Sequence, residues 1–408
     1  MTGAGPSVFA VEDTAVQVTW SELPAGPVRV GVGDAVVEVA HGGGPGAVVV
    51  DGLPPDTELE VTVTTDGGSP QPVATVRTLR PPPGAELFRL ATVNDIHLGD
   101  PHFGRLPRVP HPPGDGPPPP ERCLAAAVAE LAGWGAQLVL AKGDVTDHGS
   151  AEEWKVAAQL LSAPGLPVLA IPGNHDAGKG AIDPTDILAG AGITFSSGPP
   201  SAHELPGIRL VLGDTTVAGH NSGTIAASSE EVVRLAAEAD GPALVAIHHH
   251  PQRRRVMTHP PRGIPGTEAV PFLDGLAAVN PATMVITGHS HRHRTHRWGP
   301  LVVAEVGSPQ DFPGTWAGYV VHEGGIRQVV RRVAAPGALA WTESTKGCFA
   351  GLWGRWAPGT LEQRCFSHSW PTRLSPSQPE VAKSPSQPEV ARRADRAPAP
   401  GKARRPPP

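Results

Sequence analysis

Between residues 7 and about 80, apolar and polar positions alternate in short runs: AVQVTW, PVRVGV, AVVVDGL, LEVTVTT and PVATVRTL, separated by Gly, Pro and Asp turns. A period of two sends neighbouring side chains to opposite faces, so these runs predict a small β-sandwich over residues 1–82. The stretch PPPG at 81–84 reads as a stiff linker. From residue 87 the rhythm changes to apolar runs that each end in polar residues: LFRLATVNDIH, AQLVLAKGD, LPVLAIPGNHD, IRLVLGDTT, ALVAIHHHP and TMVITGHSH. Helical patterns lie between several of them, including ERCLAAAVAELAGWG, AEEWKVAAQLLSA, SSEEVVRLAAEA and TEAVPFLDGLAAV. Strands alternating with helices predict an α/β domain, here residues 86–335, whose central strands are buried on both faces. In such sheets ligands collect beyond the carboxyl ends of the strands, where the polar residues of this chain sit.

Further along, LVVAEVGSP and WAGYVVHEGGIRQVVRRV read as additional strands completing a second sheet. Residues 336–370 hold the Trp-rich stretch AWTESTKGCFAGLWGRWAPGTLEQRCF, which is too apolar to stay unfolded and is expected to pack on the core. The tail 371–408, with SPSQPEVA at 375–382 repeated at 384–391, has ten prolines and almost no large apolar side chains. It cannot repay the entropy of folding and is expected to be disordered.

Composition narrows the function classes. The formal charge is −6, but the tail carries eight Lys/Arg against three acids, which leaves about −11 on the rest. That balance argues against a nucleic-acid-binding core. Three cysteines without CxxC spacing give neither a disulfide framework nor a thiolate zinc site and fit a reducing compartment. The first twenty residues lack a secretory pattern and no run of about 18 apolar residues occurs, so a cytoplasmic location without membrane contact is expected.

Five polar clusters share one context, the end of an apolar run: Asp95-Ile-His97, Gly143-Asp144, Gly173-Asn174-His175-Asp176, His248-His249-His250-Pro251 and Gly288-His289-Ser290-His291. Singly, each has an ordinary reading as a turn former, a helix cap or a hydrogen-bonded histidine. Together they read as ligands: in an extended D-x-H or H-x-H, alternation aims both side chains to one side. Carboxylate, imidazole and amide oxygen without thiolate suit Mn²⁺, Fe²⁺ or Zn²⁺.

The ordered set D-x-H, G-D-x-x-D, G-N-H-D, H-x-P and G-H-x-H resembles the calcineurin-like metallophosphoesterase superfamily over roughly residues 88–310. H-x-P together with G-N-H-D is similar to its class III phosphodiesterase-like branch. The resemblance implies a two-sheet sandwich flanked by helices. It also implies two divalent ions, one held by Asp95, His97 and His291 and the other by Asn174, a histidine of the HHHP run and His289, with Asp144 bridging. The register two positions before proline selects His249, which turns His248 and His250 the other way; the choice among the three stays open. Such a pair of cations, ~3.5–4 Å apart, holds a bridging water, lowers its pKa and neutralises phosphoryl oxygens during in-line attack. The implied function is hydrolysis of small phosphate esters, foremost phosphodiesters, by metal-bound hydroxide.

His175, beside the ligand Asn174, is cast by the resemblance as the residue that contacts phosphate or protonates the leaving oxygen, with a supporting hydrogen bond as the alternative. Asp147 and Asp176 are expected to orient histidines or cap a helix. Arg253 to Arg255 put positive charge at the rim of an acidic domain, either to capture an anionic ester or as an ordinary solvated basic loop. PRVPHPPGDGPPPP at 107–120 is a stiff loop beside the first motif, either a partial lid or an inert linker. The stretch VVVDGLPPDTELEVTVTTDGG resembles the middle of a fibronectin type III module, where a Gly-Leu-Pro-Pro turn leads into a strand. Purple acid phosphatases also carry such a domain, but their iron needs a tyrosinate, and Tyr319 is the one tyrosine and lies far from the second motif. A phosphomonoesterase of the same fold and a non-catalytic scaffold are the other readings, and a scaffold is expected to have lost ligands.

Overall fold

A computed structural model describes residues 5–104, 107–114, 116–254 and 260–371. The tail from Thr372, expected to be disordered, and Arg255 of the basic stretch lie outside the described residues.

Valine-rich alternation builds the N-terminal part as seven strands in two sheets. One sheet runs Ser7–Val11, Ala15–Leu23, Gly44–Asp51; the other runs Ala35–His41, Gly26–Val32, Glu58–Thr65, Gln71–Arg77. Inward residues Val16, Val18, Trp20, Val28, Val30, Val61 and Val63 bury a core of their own between the sheets. That is a β-sandwich.

Two larger sheets follow. The first has the order Ile193–Phe195, Val168–Ile171, Leu138–Lys142, Glu86–Val93, Thr315–His322, Gly325–Arg332, Phe366–Ser369. The second has the order Ser201–Leu205, Ile208–Gly213, Ala243–Ile247, Thr283–Thr287, Leu301–Glu305, Arg294–Trp298. In the second sheet the period of two divides the side chains cleanly. Leu210, Leu212, Leu244, Ala246, Met284, Ile286, Val302 and Ala304 face the core shared with the first sheet. Val211, Val245, Ile247, Val285 and Val303 face helices Ser229–Ala237 and Gly266–Val279 through Val232, Ala236, Phe272, Leu273 and Leu276. Helices Pro119–Gly133 and Ala151–Ser162 cover the outer face of the first sheet with Leu124, Val128, Leu131, Trp154 and Leu161. Ser150 starts the second of these helices with a capping box closed by Glu153.

One expectation is corrected. LVVAE joins the second sheet, but the hairpin Thr315–His322/Gly325–Arg332 joins the first, pairing antiparallel with Glu86–Val93. Nearly every position of both strands is buried, the polar Arg327, Gln328 and Arg332 included, and pattern alone does not say which sheet accepts them.

The described residues up to Pro371 cluster as one compact unit. Phe9 and Ala10 of the sandwich enter the main core, and Gln17 exchanges two 2.8 Å hydrogen bonds with the backbone of Arg332. Residues 336–370 pack on that core through Ala338, Trp341, Cys348 and Cys365.

Candidate metal centre

The parallel strands Glu86–Val93, Leu138–Lys142 and Val168–Ile171 of the first sheet end beside Ala243–Ile247 and Thr283–Thr287 of the second, so five loops meet at one edge. Backbone hydrogen bonds latch them together. Asp95 N–H donates to Gly143 O at 3.0 Å, Ile96 N–H to Asp144 O at 2.7 Å, and Gly288 N–H to His248 O at 2.9 Å. Two glycines allow the approach. A Cβ on Gly143, whose φ is +80°, would stand 2.8 Å from the Gly173 Cα, and one on Gly173 would stand 2.2 Å from Asp144 N.

The side chains do not reach the site by strand alternation. Asp95, His97, Asp144, His289 and His291 all adopt left-handed backbone, with φ between +49° and +68°. The strands have already ended, so alternation has no hold on these positions; each D-x-H and H-x-H is a tight turn whose strain is held by the surrounding hydrogen bonds. His248 likewise lies past its strand. Instead of turning away from His249, it points to the same centre.

Four groups of side chains each bring one ligand atom apiece within 4.8 Å of the others: Asp95, His97 and His291; Asp95, Asp144 and His248; His248, His249 and His289; His97, Asp147 and His175. Nε2 of His97 and His291 are 3.2 Å apart, and His291 Nε2 lies 3.7 Å from Asp95 Oδ1. Asp144 is central: Oδ2 is 3.2 Å from His248 Nε2 and 3.8 Å from His97 Nε2, and Oδ1 accepts the His175 N–H at 2.8 Å. All seven positions expected as ligands, and His248 with them, gather at this edge.

Tautomers follow from fixed partners. His248 Nδ1 donates to Lys142 O at 2.8 Å, and His289 Nε2 donates to Arg262 O at 3.2 Å. A carbonyl only accepts, so in the neutral ring the other nitrogen keeps its lone pair. His249 Nδ1 meets Thr215 Oγ1 at 2.8 Å. Among the described residues, Asn174 Oδ1, His248 Nε2, His249 Nε2 and His289 Nδ1 are buried polar atoms without a hydrogen-bond partner. Three of them belong to one cluster, His248, His249 and His289, beside the Asp144 carboxylate, an arrangement of lone pairs that a divalent cation would complete.

Electrostatics divides the histidines. Burial and neighbouring histidines hold His249 and His289 well below the ordinary imidazole range. Burial opposes a charge on His248, but Asp144 and Asp95 outweigh it and lift the pKa to about 9. His175 is half-buried; burial again opposes its charge, but the 2.9 Å contact with Asp147 and the charge of Asp144 raise it to about 9. Asp147 also lies 3.5 Å from His97 Nδ1, and the two histidines, working against burial, hold its carboxyl well below the usual range.

Among the described residues Asp176 makes no hydrogen bond or ion pair with a histidine side chain. It accepts from Gly173 N, Val145 N, Thr146 N and Thr146 Oγ1 at 2.6–3.1 Å, tying the GDVT and GNHD loops together, and burial followed by Asp144 raises its pKa to about 6. His250 stacks on His289 with centroids 5.9 Å apart. Arg253 is exposed on the following loop.

Sequence patterns missed a supporting layer. Lys142 Nζ donates to Asn94 Oδ1 at 2.6 Å, and Asn94 Nδ2 donates to Asp95 Oδ2 at 2.6 Å. Burial, against the pull of Asp95, lowers Lys142 to about 7. Ser308 Oγ donates to Asp95 O at 2.6 Å, and Asp311 Oδ2 accepts from His291 Nδ1 at 2.6 Å. The polar Asn94 and Lys142 inside apolar runs were the available signal; Ser308 and Asp311 come from a loop with no motif.

The family profile for calcineurin-like phosphoesterase matches residues 88–293, half of the chain. The glycerophosphodiester phosphodiesterase GpdQ of Enterobacter lignolyticus is 32% identical over 118 residues, 28% of this chain and 41% of that protein. A probable glycerophosphodiester phosphodiesterase GpdQ of Arcobacter nitrofigilis is 25% identical over 183 residues, 42% of this chain and 63% of that protein. The chain thus spans less than two thirds of the length of either relative. Among solved structures, the purple acid phosphatase PPD1 of yellow lupin (Lupinus luteus) aligns with 81% of this chain and 72% of its own, at 12% identity and a TM-score of 0.41. With the five motifs inside or at the edge of the matched span and their side chains gathered at one sheet edge, the chain belongs to the calcineurin-like phosphoesterase family.

Proposed function

We propose that the protein hydrolyses phosphate esters, phosphodiesters foremost, with two divalent ions held where the two sheets end. The carrying observation is the convergence of Asp95, His97, Asp144, His249, His289 and His291, with Asn174 on the loop whose His175 N–H donates to Asp144, and with buried atoms of Asn174, His249 and His289 unpartnered among the described residues. One ion would be held by Asp95, His97 and His291, the other by Asn174, His249 and His289, with Asp144 shared. Mn²⁺, Fe²⁺ or Zn²⁺ fits this donor set and would polarise the phosphoryl oxygens and lower the pKa of a bound water.

The remaining work falls to the chain. His175, partly exposed and 2.9 Å from Asp147, would hydrogen-bond a phosphoryl oxygen and hand its proton to the leaving oxygen. Asp176 fixes the loops that carry Asp144 and Asn174. Arg253 adds positive charge on the exposed side of the loop after the HHHP run, which draws in an anionic ester. The names of the two glycerophosphodiester phosphodiesterases support the diester preference. The sandwich, with sheets of three and four strands, supports reading residues 1–82 as fibronectin type III-like.

The test is turnover of a chromogenic phosphodiester and the matching monoester by Mn²⁺-loaded protein. We expect the diester to be cleaved faster and Asp144→Asn to lower kcat roughly a thousandfold, about 4 kcal/mol of barrier. No turnover with any divalent ion, with Asp144→Asn indistinguishable from wild type, returns the protein to the scaffold reading.

A further inference from the structure

The segment 336–370 does more than pack on the core. Its Trp353 indole N–H donates to Asp311 Oδ1 at 3.0 Å, and the other oxygen of that carboxylate accepts from His291 Nδ1 at 2.6 Å. Asp311 is fully buried, and both of its oxygens are engaged. The same segment grips the Asp311 loop on either side: Thr345 Oγ1 accepts the Phe312 N–H at 2.8 Å, and the Trp341 indole N–H donates to Gln310 O at 2.6 Å. The Trp353 ring lies 5.9 Å from Phe103 and 6.3 Å from His291, so it also walls the imidazole on one side.

We infer that Asp311 and Trp353 are positioning residues of the metal centre, and that the C-terminal segment completes the site of the ion held by Asp95, His97 and His291. The carboxylate keeps the proton on His291 Nδ1, so Nε2 turns its lone pair towards Asp95 and His97; the indole N–H holds the other carboxylate oxygen and so fixes the carboxylate against the ring. A histidine tied in this way loses less rotational freedom on binding an ion and is a stronger donor. The inference rests on the reading of His291 as a ligand.

The experiment is a calorimetric Mn²⁺ titration of apoprotein for wild type, His291→Ala, Asp311→Ala, Asp311→Asn, Trp353→Phe and Trp356→Ala. Trp356 is exposed on the same short helix, with its ring 5.7 Å from the Arg292 guanidinium and outside the hydrogen-bonded relay, so it is the control for losing a tryptophan from this helix while the relay stays intact. Expected is one ion weakened 10–100-fold in Asp311→Ala, less in Asp311→Asn, which keeps one acceptor, and about threefold in Trp353→Phe, with Trp356→Ala like wild type. The visible spectrum of Co²⁺-loaded Trp353→Phe should shift for one site only. If Asp311→Ala fails to fold, Trp353→Phe decides alone. Wild-type affinity in the relay variants while His291→Ala loses an ion overturns the inference and leaves the function standing, as does equal weakening by Trp356→Ala. Two undiminished ions in His291→Ala, or none in wild type, overturns the reading beneath it.

Discussion

His248 Nε2 stands 3.2 Å from Asp144 Oδ2 and 3.9 Å from Asp95 Oδ1, while its Nδ1 proton is committed to the Lys142 carbonyl. A neutral ring would set a lone pair against two carboxylates. Either a proton occupies Nε2, as the raised pKa of about 9 indicates for the protein alone, or a cation takes the proton's place. His249 differs: it is held neutral and faces His289, with ring centroids 4.5 Å apart.

The two histidines therefore have separable consequences. Replacing His249 by alanine should weaken one of two bound ions, the one shared with Asn174 and His289. Replacing His248 should weaken both, because it addresses the shared carboxylate and Asp95 together. Each loss should be on the order of 10–100-fold, read by chelator competition with Mn²⁺.

Left-handed backbone at five of the proposed ligands makes a second prediction. At His97, φ is +52° and the side chain is buried. Both His97→Ala and His97→Gly delete the imidazole and should abolish binding of one ion, but only glycine relaxes the backbone. His97→Gly should be the more stable apoprotein by about 1 kcal/mol, measured by urea unfolding in chelator. Equal stabilities would mean that the turn stores no strain.

How far the sequence was legible follows the same division. The strand and helix periods carried the two sheets and the sandwich, because a half-buried or doubly buried strand writes its environment into its residue types. The positions proposed as ligands were legible as motifs. Their mode of presentation was not, since alternation ends with the strand and a left-handed turn at Asp95 or His289 leaves no apolar trace. Asp311, Ser308 and Trp353 were invisible for another reason: they reach the site from more than 200 residues beyond Asp95, and nothing local to them encodes the partner.

At the junction of sandwich and catalytic part, Glu12 accepts from the Trp134 indole N–H at 3.2 Å, pairs with Arg331 and lies 3.8 Å from Arg327. Glu12 and Arg327 are buried. Glu12→Ala would leave Arg327 to Asp13 alone and should cost about 3 kcal/mol in urea unfolding. Because the Glu12 side chain bonds, among the described residues, to Trp134, Arg331 and Arg327 and to none of the proposed ligands, kcat per folded molecule should stay at the wild-type value. A stability change below about 0.5 kcal/mol would mean the junction is held by apolar contacts alone.

Acid sensitivity should carry the mark of His296. On the strand Arg294–Trp298, burial lowers its pKa to about 4 against the pull of Glu305, and its Nε2 has no hydrogen-bond partner among the described residues. In the unfolded chain it titrates near 6.5. Between these values the unfolded state binds the extra proton, so the contribution of His296 is whole above pH ~6.5 and is lost as pH falls towards ~4. His248, His175 and His291 have raised values and act in the opposite window, losing their contribution as pH rises from about 6.5 through about 9. Asp176, raised to about 6, gains as pH falls, so the difference between two proteins is the clean readout. In chelator, His296→Gln should lose less stability than wild type between pH 6.5 and 4 and match its slope above pH 7. Parallel pH profiles throughout would show that His296 takes up its proton in the folded state as readily as in the unfolded one.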